Sequence, residues 1–253
     1  MKNEKHLTKL NINNLTSLWQ EASLCNNSFT TTPLFNYSAI KNMNWPNRLW
    51  FNNDLEQEAV LWAKNKVFSD FPNLITSYWD IYGSNANQLL EQNGFVKIFE
   101  QIGMSLKINK SFEEKENLKI NLISTKDDAI IWSKLFKLSF GYEIHPNIII
   151  NTHKNINYYI TYYQGKSIGT AITYQTDKVT GIHAIGIIPE GRRKGLANEL
   201  MKCLLNISIK NKSEYVTLQA SDMGRDLYLK LGFNEQFLIK NYKLISNYNN
   251  YEL

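Results

Sequence analysis

The residues of this chain whose types and spacing could do chemistry are concentrated in one segment, Ile185 to Met201, IGIIPEGRRKGLANELM. An apolar run stops at Pro189, and a short loop holds Gly191 and Gly195 with Arg192, Arg193 and Lys194 between them. An amphipathic stretch then begins at Leu196. A strand that turns directly into a helix leaves the first N–H groups of the helix unpartnered and pointing the same way, and the helix dipole adds partial positive charge there. Such a turn suits a pyrophosphate. Gly195 lets a phosphate come close to the main chain, and Ala197 keeps that approach open. Only four of the 28 basic residues are arginines, Arg48, Arg192, Arg193 and Arg225, and two of them stand in this loop, where a planar guanidinium fits phosphate. The plainer alternative is a helix start with a solvated basic loop.

Other elements must hold that loop in place. Leu118 to Ile123 reads as a strand, and Asp127 to Phe140 has apolar residues at helical spacing with Thr125 or Asp127 as cap. Tyr158 to Tyr163 and Ser167 to Tyr174 form a hairpin around Gln164-Gly165-Lys166. A strand from Val179 to Ile188 enters the loop, and a helix from Leu196 to about Ile209 leaves it. Then come a strand at Tyr215 to Gln219, a helix at Arg225 to Leu231 stopped by Gly232, and a final strand through Phe237 to Ile245.

In that setting Arg192-x-x-Gly195-x-Ala197, following Ile187-Ile188-Pro189-Glu190, resembles the (R/Q)-x-x-G-x-(G/A) motif of the GNAT superfamily of N-acetyltransferases. Leu227-Tyr228-x-x-x-Gly232-Phe233 resembles the C-terminal signature of the same superfamily, and the likeness covers about residues 117–245. The resemblance implies an enzyme, an N-acyltransferase with acetyl-CoA as co-substrate and a small-molecule or peptide amine as acceptor. It implies the pyrophosphate on the backbone of Arg193, Lys194, Gly195, Leu196 and Ala197, and the pantetheine beside Ile185, Ile187 and Ile188. The Ile187 N–H would face the thioester oxygen, and Ser221 would lie near the pantetheine.

Attack of an amine on a thioester passes through a tetrahedral oxyanion, which a backbone donor stabilises. The departing sulfur needs an acid, and Tyr228, one turn before Gly232-Phe233, stands where similar proteins carry theirs; aromatic packing is its other reading. The amine must also lose a proton. His183 is the candidate base, because the two-residue period puts 183, 185 and 187 on one face of the strand; a strand histidine bonded in place is equally compatible. His145 would line the acceptor side.

Two hundred and fifty-three residues suffice for two small cores. The expected fold is α/β (α+β): two acetyltransferase-like domains, 1–115 and 116–253, each a mixed, mostly antiparallel sheet flanked by helices, the second one complete. The charged stretch Lys110 to Asn117 is the expected linker. Laying Gly94 on Gly232 aligns Asn87 to Phe95 with Arg225 to Phe233, Trp45 to Phe51 with His183 to Pro189, and Leu55 to Val67 with Arg193 to Leu205. In this register Asp54 replaces Arg192, Gln57 replaces Gly195 and Leu90 replaces Tyr228, so the first copy is expected to be degenerate and to bind no CoA. Five of the six tryptophans lie in this half and read better as packing than as an acceptor wall.

A net charge of +5 spread without basic blocks argues against nucleic acid. No apolar run is long enough to span a membrane, and Met1 to Leu10 carries charges in place of a secretory apolar core. Two unpaired cysteines, Cys25 and Cys203, give neither a disulfide framework nor a cysteine-based zinc site, so no metal is expected and a reducing cytoplasm fits. A non-catalytic acyl-CoA-binding sensor or interaction module is the alternative to an enzyme.

Overall fold

The computed structural model describes residues 2–24, 26–115 and 118–245; Cys25, Met1 and the last two residues of the expected linker, Glu116 and Asn117, lie outside them. The first half consists of α1 (Lys2–Leu24), β1 (Phe29–Thr31), β2 (Phe35–Ser38), β3 (Arg48–Phe51), α2 (Gln57–Lys66), β4 (Ile75–Asp80), α3 (Gln88–Gln92) and β5 (Phe95–Lys107). The second half begins with β6 (Leu118–Leu122), α4 (Lys126–Phe140), α5 (Pro146–Thr152), β7 (Asn157–Tyr163), β8 (Lys166–Thr176) and β9 (Val179–Ile187). After a short 3-10 turn at Pro189–Gly191 come α6 (Leu196–Lys210), β10 (Tyr215–Ala220), α7 (Asp222–Lys230) and β11 (Asn234–Leu244). No helix among the described residues is long and apolar enough to cross a membrane.

The strands form one eleven-stranded sheet in the order β1-β2-β3-β4-β11-β5-β10-β9-β8-β7-β6. One continuous sheet thus stands where a separate sheet for each half was expected. Its two halves exchange their last strands: β11 pairs with β4, β5 pairs with β10, and the two exchanged strands pair with each other at the centre. All pairs are antiparallel except β3 with β4 and β9 with β10. The run β3-α2-β4-α3-β5 has the same element order as β9-α6-β10-α7-β11.

Local sequence accounts for the helices flanking the site. Thr125 and Asp128 cap α4 reciprocally, side chain to backbone in both directions, and Gly141 ends that helix in the left-handed conformation. α6 presents Leu196, Leu200, Cys203 and Leu204 to the sheet, a helical spacing in which each buried aliphatic side chain contributes about 1.5 to 3 kcal/mol. The segment before β6 is strapped to this helix, because the Asn206 amide bonds both the N–H and the C=O of Phe112 as well as Glu114.

Packing divides into three clusters. α1, α4 and α5 cover one face with Trp19, Trp132, Phe136 and the tryptophans Trp45, Trp50 and Trp79. The second cluster joins α6 to Ile182, Ile187, Val216, Leu218 and Met104, with Leu227 and Tyr228 of α7 at its edge. The third joins α2 to Phe35, Leu49, Phe51, Leu90 and Tyr242. Four of the five tryptophans of the first half are therefore packing residues, while Trp62 is partly exposed.

α1 was not apparent in the sequence. It buries Leu15, Leu18, Trp19 and Ala22, yet two further inward positions are the fully buried asparagines Asn11 and Asn14. Asparagine is a poor helix former, and a polar residue interrupts the apolar stripe by which a helix is recognised.

Candidate active site

β9 and β10 run parallel and pair only at Val179–Gly181 with Tyr215–Thr217. Beyond that point they part, so β9 continues to Ile187 and β10 to Ala220 on opposite sides of a cleft. The N–H of Ile188 is bonded to Ile168 O of β8 at 3.0 Å. Successive N–H groups of a strand point to opposite sides, so the N–H of Ile187 faces the cleft. It is a backbone donor on a wall that also carries Ile185.

β9 does not keep a strict two-residue period. Its pairing with β8 slips between Thr170 and Ile172, and Ala184 takes a positive φ of 54°, which marks a bulge. As a result Ile182, Ile185 and Ile187 pack toward α6, whereas Ala184 packs with α1 and α4. His183 points to the α1 side as well, where its Nε2 meets Asn14 Oδ1 at 3.2 Å and its Nδ1 meets Gln219 Oε1 at 3.0 Å. Gln219 in turn donates to Asn11 at 2.8 Å, and Asn11 donates to Met104 O and Gln236. Gly181 makes room for this network: any side chain there would collide with Asn14 and His183.

The expected role of His183 as base is corrected accordingly. Its ring lies on the opposite face from Ile187, both nitrogens are engaged, and burial pushes its pKa down to about 4, against a smaller opposing effect of the Gln219 bond. His183 pins α1 across the closed end of the cleft.

The loop after β9 is open where a phosphate would need it to be. Gly195 has φ +74° and caps α6, and nothing lies within 4 Å of where its side chain would begin. The N–H groups of Arg193, Lys194, Gly195, Leu196 and Ala197 have no hydrogen-bond partner among the described residues. The side chains are less uniform than the sequence suggested. Arg192 donates from Nε to Ile187 O at 3.0 Å and from Nη2 to Ser139 O at 3.2 Å, which ties the end of α4 to the cleft wall. Lys194 bonds Glu190 O and lies 6.0 Å from the ring of Tyr163. Arg193, exposed and at φ +61°, remains free among the described residues.

Across the cleft, Ser221 is the exposed N-cap of α7 and makes no side-chain cap bond. Tyr228 projects from α7 onto Phe233, ring centroids 5.9 Å apart. Its hydroxyl has no partner among the described residues, and burial raises its pKa to about 12. The phenol is therefore protonated at neutral pH and able to give a proton. His145 caps α5, its Nδ1 accepting from Asn147 N at 3.2 Å, beside the α4–α5 corner that touches β9.

A cavity of about 560 Å³ adjoins this region between α6, α7 and the segment after β5. Lys107, Lys110, Lys202 and Lys230 line it together with Asn198 and Phe112. These lysines come from β5, the segment after it, α6 and α7, which is why no run in the sequence announces them.

The corresponding place in the first half is closed. The Asp54 carboxylate accepts from Leu55 N at 2.9 Å, Tyr78 OH at 3.1 Å and Ser84 Oγ at 2.6 Å, so the protein's own anion occupies the turn before α2. Gln57 is bonded by Asn93, and Leu90 is fully buried.

Residues 140–241 match the family model of the acetyltransferase (GNAT) domain, less than half of the chain. No curated protein matches the sequence. Among solved structures, a GCN5-related N-acetyltransferase from Kribbella flavida shares the fold over 91% of this chain and 96% of its own, with 12% identity and a TM-score of 0.67. A GCN5-related N-acetyltransferase from Sphaerobacter thermophilus is similar over 83% of this chain and 76% of its own, with 13% identity and a TM-score of 0.63. A GCN5-related N-acetyltransferase-like protein from Streptococcus suis covers 85% of each chain, with 14% identity and a TM-score of 0.56. The likeness in fold extends through both halves. It shows the fold; the domain match over residues 140–241 supports an acyltransferase.

Proposed function

We propose that the protein is an N-acetyltransferase that moves an acetyl group from acetyl-CoA to a primary amine by direct attack in a ternary complex. The observation that carries this reading is the inward N–H of Ile187 on a splayed strand that leads straight into the open Gly195 turn. The unpartnered N–H groups of Arg193 to Ala197 would hold the pyrophosphate, with Arg193 adding charge, and the lysine-lined cavity would favour the anionic nucleotide end. Arg192 acts as a brace for the wall. The pantetheine would run along Ile185 to Ile188 with Ser221 opposite.

The amine nitrogen bonds to the thioester carbon, and the Ile187 N–H stabilises the charge on oxygen. The C–S bond then breaks, and Tyr228 protonates the leaving sulfur and recovers its proton from solvent. No side chain is assigned as base: the amine loses its proton to water. In this reading the chain is a tandem of two acetyltransferase-like units, 1–115 and 116–253, the first with its cofactor turn filled by Asp54. Thiol release from acetyl-CoA with a panel of primary amines tests the proposal. Turnover on at least one amine is expected, whereas tight binding with no turnover on any would favour an acyl-CoA sensor.

A further inference from the structure

Of the basic residues in the turn after β9, Arg192 is bonded away from the open N–H groups. Its Nε donates to Ile187 O at 3.0 Å and its Nη2 to Ser139 O at 3.2 Å. The N–H and C=O of one strand residue point to the same side, and the N–H of Ile188 is bonded to β8, so Ile187 O lies on the cleft side together with the Ile187 N–H. Ser139 O belongs to the last turn of α4, where carbonyls lack helical partners and the helix dipole favours a cation. The Ser139 hydroxyl is bonded to Leu135 O at 2.9 Å, which leaves the carbonyl as the group that Arg192 holds.

The same end of α4 rests directly on the cleft wall. A side chain at Gly186 would begin 2.6 Å from Phe140 Cε2 and 2.8 Å from Ser139 Cβ, so its absence lets the helix end lie against β9 one residue before Ile187. Phe140 stacks on Phe136 at 4.5 Å and remains partly exposed. The two faces of the wall differ in what covers them: Ile185 and Ile187 pack with α6, whereas Ala184 packs with Phe136 of α4. The Gly195 turn opens α6, so a cofactor held there occupies the α6 side of the cleft and leaves the α4 side for the incoming amine. The end of α4 borders that approach, and Arg192 and Gly186 fix its position.

We propose that Arg192 is a positioning residue for the acceptor: by joining Ser139 O to Ile187 O, it holds the end of α4 and the Ile187 N–H in one arrangement, in which an amine arriving along α4 meets the thioester carbon. This rests on the acetyltransferase reading, and it assigns Arg192 to the acceptor side in place of the phosphate that the sequence of the loop suggested. A guanidinium suits the task, because its rigid planar fork reaches two carbonyls from two separate nitrogens.

The test compares the wild type with Arg192→Gln, with Gly186→Ala, whose methyl group pushes the end of α4 away while Arg192 is intact, and with the two changes together. Each single change is expected to raise KM for the best amine of a primary-amine panel about tenfold or more, and to leave acetyl-CoA affinity by calorimetric titration within about twofold of the wild type. Because both changes release the same contact, the double variant should be within about twofold of the worse single one. A tenfold loss of acetyl-CoA affinity in Arg192→Gln, an unchanged KM for the amine, or effects that multiply in the double variant overturn the proposal. Hydrogen exchange at the Gly141 amide, which is bonded to Lys137 O at 2.9 Å, reads the end of α4 without turnover. It should be about tenfold faster in Arg192→Gln than in the wild type, and an unchanged rate overturns the bridge. If no amine is turned over by the wild type, the transferase reading falls and the acceptor role with it, while the exchange rate still decides whether Arg192 holds α4.

Discussion

The turns that follow β3 and β9 are built from the same element order and differ in what fills them. After β9, open space lies beside the left-handed Gly195, in a run of five N–H groups that have no partner among the described residues. After β3, Asp54 lies in the turn and takes up Leu55 N and two hydroxyls. The carboxylate accepts one backbone N–H, that of Leu55, and sets a negative charge in the turn that repels a phosphate. The adjoining positions differ too: where the second half carries Tyr228, its hydroxyl unbonded among the described residues, the first has the fully buried Leu90.

The sharpest way to break this contrast is to remove the chemistry from the open half. Tyr228→Phe keeps the ring on Phe233 and is expected to lower kcat by up to about 1000-fold while leaving acetyl-CoA affinity unchanged. Because burial holds the phenol at about 12, it stays protonated well above the ordinary tyrosine range. Wild-type kcat should therefore show no decline from loss of this proton through pH 10, and a limb near pH 10 that vanishes in Tyr228→Phe would contradict the burial. Next in size is the turn itself. Gly195→Trp places a side chain in the space used for phosphate approach and should weaken acetyl-CoA binding about 100-fold, the loss of one or two charge-assisted bonds, at a stability cost of about 1 to 2 kcal/mol from the left-handed backbone.

His183 predicts an acid sensitivity that belongs to the second half, since the matching residue in the first is the buried Trp45. The folded pKa of about 4 lies below the ordinary value of 6.5, so the unfolded chain binds the proton first as pH falls. Stability is full above pH 6.5, declines between 6.5 and about 4 by on the order of 3 kcal/mol, and levels off below that. Urea unfolding midpoints measured across this window should show the slope in the wild type and lose it in His183→Gln. The smallest effect is expected in the closed turn: Asp54→Ala should cost about 1 to 2 kcal/mol of stability through three lost bonds and leave acetyl-CoA affinity and kcat untouched.

Much of the second half was legible because its signals are local. The glycines, the proline and the apolar spacing around residues 185 to 201 place the turn and α6 within a residue or two of their observed bounds. The element order strand-helix-strand-helix-strand occurs in both halves. Two features were hidden, each for a different physical reason. The bulge at Ala184 reverses the face of His183, and no residue type marks a non-glycine bulge. The exchange of β5 and β11 depends on pairing between distant segments, which sequence periodicity does not encode.

The account rests on one open turn and one filled turn, and the most direct measurement is the stoichiometry of acetyl-CoA by calorimetric titration of the wild type, Gly195→Trp and Asp54→Ala. One site per chain is expected, lost or severely weakened in Gly195→Trp and intact in Asp54→Ala. Two sites per chain, or one site that survives Gly195→Trp and disappears in Asp54→Ala, would contradict it.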